Sequence, residues 1–264
     1  MKSNPSTDNP IHLAGPGADL LSSNSNASAG LILLGTVHSD PRGFARTRAF
    51  LENHRSDLIL IEISPFALQF RKERSSELRK LFIRNVRTLC KKLAIEPRAI
   101  RKHAQIASIF RQIGIPFEYR AAASYAKREG VDLIAVDDSG FSRQWIATWP
   151  EMIAAENIEQ LFKLESSVPP VASLYARAAT KIGGVQFYPG TLPGGDALIW
   201  QRREKYMAAQ ITSALERLKP ARPVYIGGWW HLTSGGSIRT LRELLGIGND
   251  SCLLLDRTGT ARTR

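Results

Sequence analysis

The chain of 264 residues has only two cysteines, Cys90 and Cys252, far apart and in no Cys-x-x-Cys pattern. That excludes a disulfide-stapled scaffold and a multi-cysteine zinc finger, and it suits a reducing compartment. No apolar run approaches the roughly 18 residues that would span a bilayer. The first ten residues, MKSNPSTDNP, hold one lysine and no apolar core, so a secretory signal is not expected and the cytoplasm is the expected location. Acidic residues are also short: 24 Asp and Glu face 36 Lys and Arg, a net charge of +12.

Nearly all of that excess lies in one stretch. From Arg71 to Arg111 there are thirteen Lys and Arg against Glu73, Glu77 and Glu96. Leu78, Leu81, Phe82, Val86, Leu89, Cys90 and Leu93 recur there at three- and four-residue steps, which predicts an amphipathic helix. Pro97 is expected to break it, with a second helix over 98–113. A charge run of this kind is usually a solvated helical face. It also offers a surface for an anionic partner, either nucleic acid or an anionic membrane. Interleaved exposed aromatics, which single-stranded nucleic acid would use, are missing.

Residues 1–28 are rich in Ser, Asn, Pro, Gly and Asp and are expected to be a disordered tail. Residues 29–264 then read as one α/β domain with a basic helical insertion at about 66–113. Short apolar runs predict five strands: Gly30–Gly35, Asp57–Ile63, Val131–Val136, Pro223–Ile226 and Cys252–Asp256. Helices are expected at Gly43–His54, Glu118–Glu129, Met152–Glu165, Ala172–Ile182, Asp196–Leu218 and Ser237–Leu245. Gly183–Gly195, with five glycines and two prolines, is expected to be a loop and possible lid. The alternation predicts a mainly parallel sheet flanked by helices.

Ligands of open α/β sheets bind outside the carboxyl ends of the strands. The first strand delivers Gly35-Thr-Val-His38 there, the second Glu62, the third Asp137 and Asp138, the fourth Gly228-Trp-Trp-His231. Each has a plain structural explanation. His38 could close a strand-to-helix turn, Asp137 could cap a helix, and His231 could pack on Trp229 or Trp230. Gly35 and Gly228 could simply serve turns or close backbone approach. Glu62 could be half of an ion pair, but a carboxylate among Leu58, Ile59, Leu60, Ile61 and Ile63 is costly unless paired or ligating. Gly-x-x-His repeated at two strand ends is harder to explain as packing. On the long helix Ile199, Arg203, Met207 and Ile211 fall on one stripe, so Arg203 must snorkel, pair with a carboxylate such as Glu62, or face a site. Two His and one Glu are ligand types for a catalytic divalent metal with an open position for water.

These residues carry a resemblance. LLGTVHSDP around His38, DLILIEI with Glu62, FEYRAAASYAKREGVDLIAVDDS with Glu118 and Asp137, WQRREKYMAAQI with Arg203, and YIGGWWHLTSGG with His231 together resemble the TraB/Tiki/GumN superfamily. That superfamily is related to the erythromycin esterase and ChaN-like folds. The similarity runs from about Gly30 to Asp256. It implies a metal-dependent hydrolase, peptidase or esterase-like, with His38, Glu62 and His231 holding manganese, cobalt or zinc. Glu62, Arg203 and His231 would act in catalysis, with Gly35, Gly228, Glu118 and Asp137 in support. The substrate implied is a peptide or small acyl compound. The TraB branch implies instead a non-catalytic role in shutting down a peptide pheromone signal. The chain departs from the family pattern at Arg202, where an acidic residue is usual, and at Trp230, where a small one is. It also lacks the membrane segments of some relatives.

Overall fold

The computed structural model describes residues 30–164, 169–184 and 197–258. The expected tail and all but the first two residues of the expected 183–195 loop lie outside them. Five short strands form one sheet in the order β3-β2-β4-β1-β5, and every pairing is parallel: β1 (Ile32–Thr36), β2 (Leu58–Ile61), β3 (Asp132–Ala135), β4 (Pro223–Gly228) and β5 (Cys252–Leu254). The strands are the predicted apolar runs. Leu33, Leu34, Ile59, Leu60, Val224, Tyr225 and Ile226 have no measurable exposure, as strands covered on both faces require. The sheet is flanked by helices, as expected from the alternation.

Local chemistry sets the helix ends. α1 (Gly43–His54) packs against α5 (Phe117–Glu129), which closes at Gly130 in the left-handed conformation (φ 69°). α2 (Pro65–Leu93) starts at Ser64, whose side chain accepts the Ala67 N–H at 3.0 Å, with proline in the first turn. It ends at Ala94 (φ 50°), before Pro97, and Pro97 opens α3 (Pro97–Lys102) rather than merely ending α2. The helix expected over 98–113 is therefore two. It is interrupted at His103, whose buried ring packs on Phe162, before α4 (Ala104–Ile113).

Two helices were not expected from the sequence, α6 (Ser139–Ala147) and α7 (Trp149–Met152). Next come α8 (Ala155–Lys163), α9 (Val171–Ile182) and α10 (Ala197–Leu218). The last expected helix shrinks to α11 (Leu241–Leu244), because Thr240 with Glu243 forms a capping box that restarts the helix there.

The core divides in two. The sheet and its helices form the larger cluster. A second cluster joins Phe82, Val86, Leu89, Cys90, Ile100, Ile106, Ile109 and Ile113 to Ile153 and Ile158. The basic insertion thus has its own apolar interior, completed by side chains from outside 66–113. Among the described residues, no helix is long and apolar enough to cross a membrane.

Candidate functional site

The parallel sheet aligns four strand ends at one rim. β1 pairs with β4 so that Thr36 stands opposite Gly228, and the Glu62 N–H donates to the Ile226 carbonyl at 2.9 Å. The Asp137 N–H follows on β3 by donating to Ile63. Glu62, Asp137, Gly228 and the β1 turn with His38 therefore emerge on the same edge.

Arg203 reaches this edge from α10. Its Nε and Nη2 donate to Asp137 at 2.7 and 2.9 Å, and Nη2 also donates to Glu62 Oε1 at 2.7 Å. Its guanidinium lies over Phe141 and Trp200, 4.7 and 5.2 Å from the ring centroids. Of the three outcomes open to Arg203, pairing is the one observed. The cap role open to Asp137 belongs to its neighbour: Asp138 accepts the Gly140 and Phe141 N–H groups at the start of α6.

Each histidine is fixed by a carboxylate at Nδ1. His231 Nδ1 lies 2.6 Å from Glu204 Oε1, and His38 Nδ1 lies 2.7 Å from Glu118 Oε1. His231 Nε2 then faces Glu62 Oε1 at 3.0 Å, while Glu62 Oε2 accepts the Gly228 N–H at 2.5 Å. Glu204 in turn accepts the Leu241 N–H, and Thr36 donates to Glu118. His38 bonds Glu118 rather than Glu62, yet it adjoins the same space. A Cβ at Gly228 would stand 3.0 Å from His38 Nε2 and 3.4 Å from Glu62 Oε2. Gly35 is needed for close packing, since its Cβ would stand 3.0 Å from Leu232 and 3.1 Å from the Trp229 backbone. Asp40 steadies the β1 turn by accepting from the Arg42 N–H, Arg46 and the Tyr175 hydroxyl.

Between the strand ends lies a cavity of about 30 Å³, lined in part by His38, Glu62, Glu118, Tyr119 and Gly227. That is room for about one water. Glu118 Oε2 and the Tyr225 hydroxyl are buried beside the site without hydrogen-bond partners among the described residues.

Charge explains the protonation behaviour. Four carboxylates, Glu62, Glu118, Asp137 and Glu204, share the network with one hydrogen-bonded guanidinium. Burial disfavours a proton on His231, but Glu204 and Glu62 outweigh it and push its pKa up to about 10. Partial burial opposes the charge on His38, and Glu118 outweighs it, pushing the pKa up to about 9; the ring is 62% exposed, so solvent screens this pull more than it does at His231. Burial would raise Glu62, yet His231 and Arg203 hold it well below the usual carboxylate range.

A stability profile follows, in buffer containing a chelator so that the imidazoles carry only protons. Both histidines have folded pKa values above their ordinary 6.5. Their contribution is therefore fully present below pH 6.5 and is lost as pH rises through about 9 to 10. Urea midpoints should fall between pH 7 and pH 10, and the fall should be smaller in His231→Asn. An equal fall in both proteins would show that the His231 pairing does not matter to stability.

The donor chemistry fits a divalent ion: two imidazoles, each backed at Nδ1 by a carboxylate, and Glu62 between them. Among the described residues, no group of three or more His, Cys, Asp or Glu side chains is placed to hold a metal ion. Sequence reasoning missed Glu204, Phe141 and Trp200. Nothing in the local spacing marks Glu204 as a partner of His231 or ties Phe141 to α10. No protein-family model, no curated protein and no solved structure matches the chain.

Proposed function

We propose that this crevice is the catalytic centre of a hydrolase acting on a peptide or another small acyl compound. The observation that carries the reading is the pair of histidines, each held at Nδ1 by a buried carboxylate, on either side of Glu62. Fixing Nδ1–H on a carboxylate leaves Nε2 as the basic position of a neutral imidazole. His38 is the more exposed of the two; its neutral form, the minor one at neutral pH because Glu118 pushes its pKa up to about 9, takes the proton of the attacking water as that water adds to the substrate carbonyl, so turnover should rise from pH 7 towards 9. The same proton then passes from His38 to the leaving nitrogen or oxygen as the carbon–heteroatom bond breaks.

His231, with both ring nitrogens engaged, orients Glu62. Arg203 spends Nε and Nη2 on Asp137 and Glu62, which leaves Nη1 to face a developing oxyanion. A manganese, cobalt or zinc ion would be held by His38, Glu62 and His231 only after His231 Nε2 gives up its contact with Glu62, with His38 then a ligand rather than the base, and would supply Lewis-acid polarisation of the carbonyl. The cytoplasm remains the proposed location.

The test uses protein purified without a histidine tag, a peptide and ester library, and elemental analysis. His38→Ala and His231→Ala should each lower kcat/KM by about a hundredfold or more, the usual worth of a positioned acid or base. Unchanged turnover and unchanged metal content in both variants would end the hydrolase reading.

A further inference from the structure

No residue of the basic insertion lines the cavity. Its long helix, α2, carries Lys80, Arg84, Arg87 and Lys91 at steps of four, three and four. At 3.6 residues per turn these four side chains fall within about 60° of one another around the helix axis. Phe82, Val86, Leu89 and Cys90 mark the opposite face and are buried in the second apolar cluster. The stripe therefore points directly away from the protein and extends on the order of 17 Å along the axis. All four residues are exposed, and none has an ion-pair partner among the described residues. No acidic residue occurs between Leu78 and Ile95.

This arrangement works against the helix. Like charges at three- and four-residue spacing each destabilise it by a few tenths of a kcal/mol, where a Glu in the same register would stabilise. The helix C-terminus favours cations only over its last turn, which accounts for Lys91 but not for Lys80, Arg84 or Arg87. A polyanion laid along the stripe would relieve the repulsion.

We infer that the outward stripe Lys80–Arg84–Arg87–Lys91 binds the phosphate backbone of a double-stranded nucleic acid. Apart from Ile83, which is 41% exposed, the large apolar side chains of this stretch are taken up by the second cluster, and one isoleucine is too little to enter a bilayer as amphipathic membrane helices do. No aromatic side chain stands on the stripe to stack unpaired bases, which favours a duplex over a single strand. Only phosphates are contacted, so DNA and RNA duplexes bind alike and without sequence preference.

The experiment is fluorescence anisotropy with short labelled DNA and RNA duplexes over a salt series. About four neutralised phosphates give a slope of about −4 in log K against log salt, on the order of a hundredfold loss between 50 and 200 mM. The variant Lys80→Gln/Arg84→Gln/Arg87→Gln/Lys91→Gln should lose most of this binding while melting at the same temperature or higher. A charge-matched control, Lys127→Gln/Arg177→Gln/Arg217→Gln/Lys219→Gln, should bind like the parent. Equal loss in both variants would reduce the effect to net charge and overturn the assignment. Binding to phosphatidylserine vesicles but to neither duplex would assign the stripe to a membrane surface instead, and binding to none would leave it a solvated face.

Discussion

Arg203→Ala is expected to destabilise the protein by about 3–5 kcal/mol, the usual cost of removing one member of a buried ion pair. The reason lies in what remains behind. Asp137 and Glu62 would lose three hydrogen bonds between them, and their side chains are only 8% and 9% exposed. Phe141 and Trp200 would also lose the guanidinium they flank. Arg203→Lys should recover only part of the loss, since one ammonium cannot reproduce the two-pronged contact to Asp137 while also serving Glu62. Urea unfolding monitored by circular dichroism measures this. A loss under about 1 kcal/mol for the alanine variant would mean that water reaches Asp137 and Glu62 after all, as it does at surface pairs.

Gly227→Ala is expected to cost activity out of proportion to stability. The added Cβ would overlap the Tyr225 hydroxyl and stand 2.7 Å from Glu62 Oε2. β4 is fixed by parallel pairing on both sides, so the strand cannot yield easily and Glu62 must move. Displacing a reacting group by about 1 Å costs about a hundredfold in rate, whereas overpacking costs about 1–3 kcal/mol of stability. Tyr225→Phe in the same background removes the overlapping oxygen but leaves ring carbon Cζ at 2.6 Å and the contact with Glu62, so it should restore part of the stability and less of the turnover. If Gly227→Ala hydrolyses the library substrates at the parental rate, Glu62 Oε2 has no part in the chemistry. Recovery of both properties by Tyr225→Phe would place the whole defect in packing.

Much of this site is visible in the sequence because its residues violate local rules. Glu62 interrupts an aliphatic run, and Arg203 interrupts an apolar helical stripe. Each violation is costly alone, and the structure shows the two offsetting each other across 141 residues. The strands were equally plain, since runs such as LILI read the same way whatever their neighbours. What could not be read was pairing by direction. Glu204 follows Arg203 in the chain, but a helix turns about 100° per residue, so it faces Leu241 and His231 instead of Asp137. Asp137 and Asp138 are adjacent and chemically alike, and only backbone direction decides which one caps and which one pairs. The short helices at 139–152 depend on contacts such as Trp149 against Phe70 and Arg71, which no local period announces.

The strand order has a consequence for how the molecule comes into being. β4, made of residues 223–228, sits between β1 and β2, so the first two strands never touch each other. A nascent polypeptide emerging as far as α10 can assemble only the β2–β3 ladder, while β1 waits for both of its neighbours. The central seam closes only after residue 228 has left the ribosome. Until then two unpaired edges of aliphatic strand stand open, and such edges are a hazard for association with other chains. Maturation is therefore paced by the late arrival of a single hexapeptide.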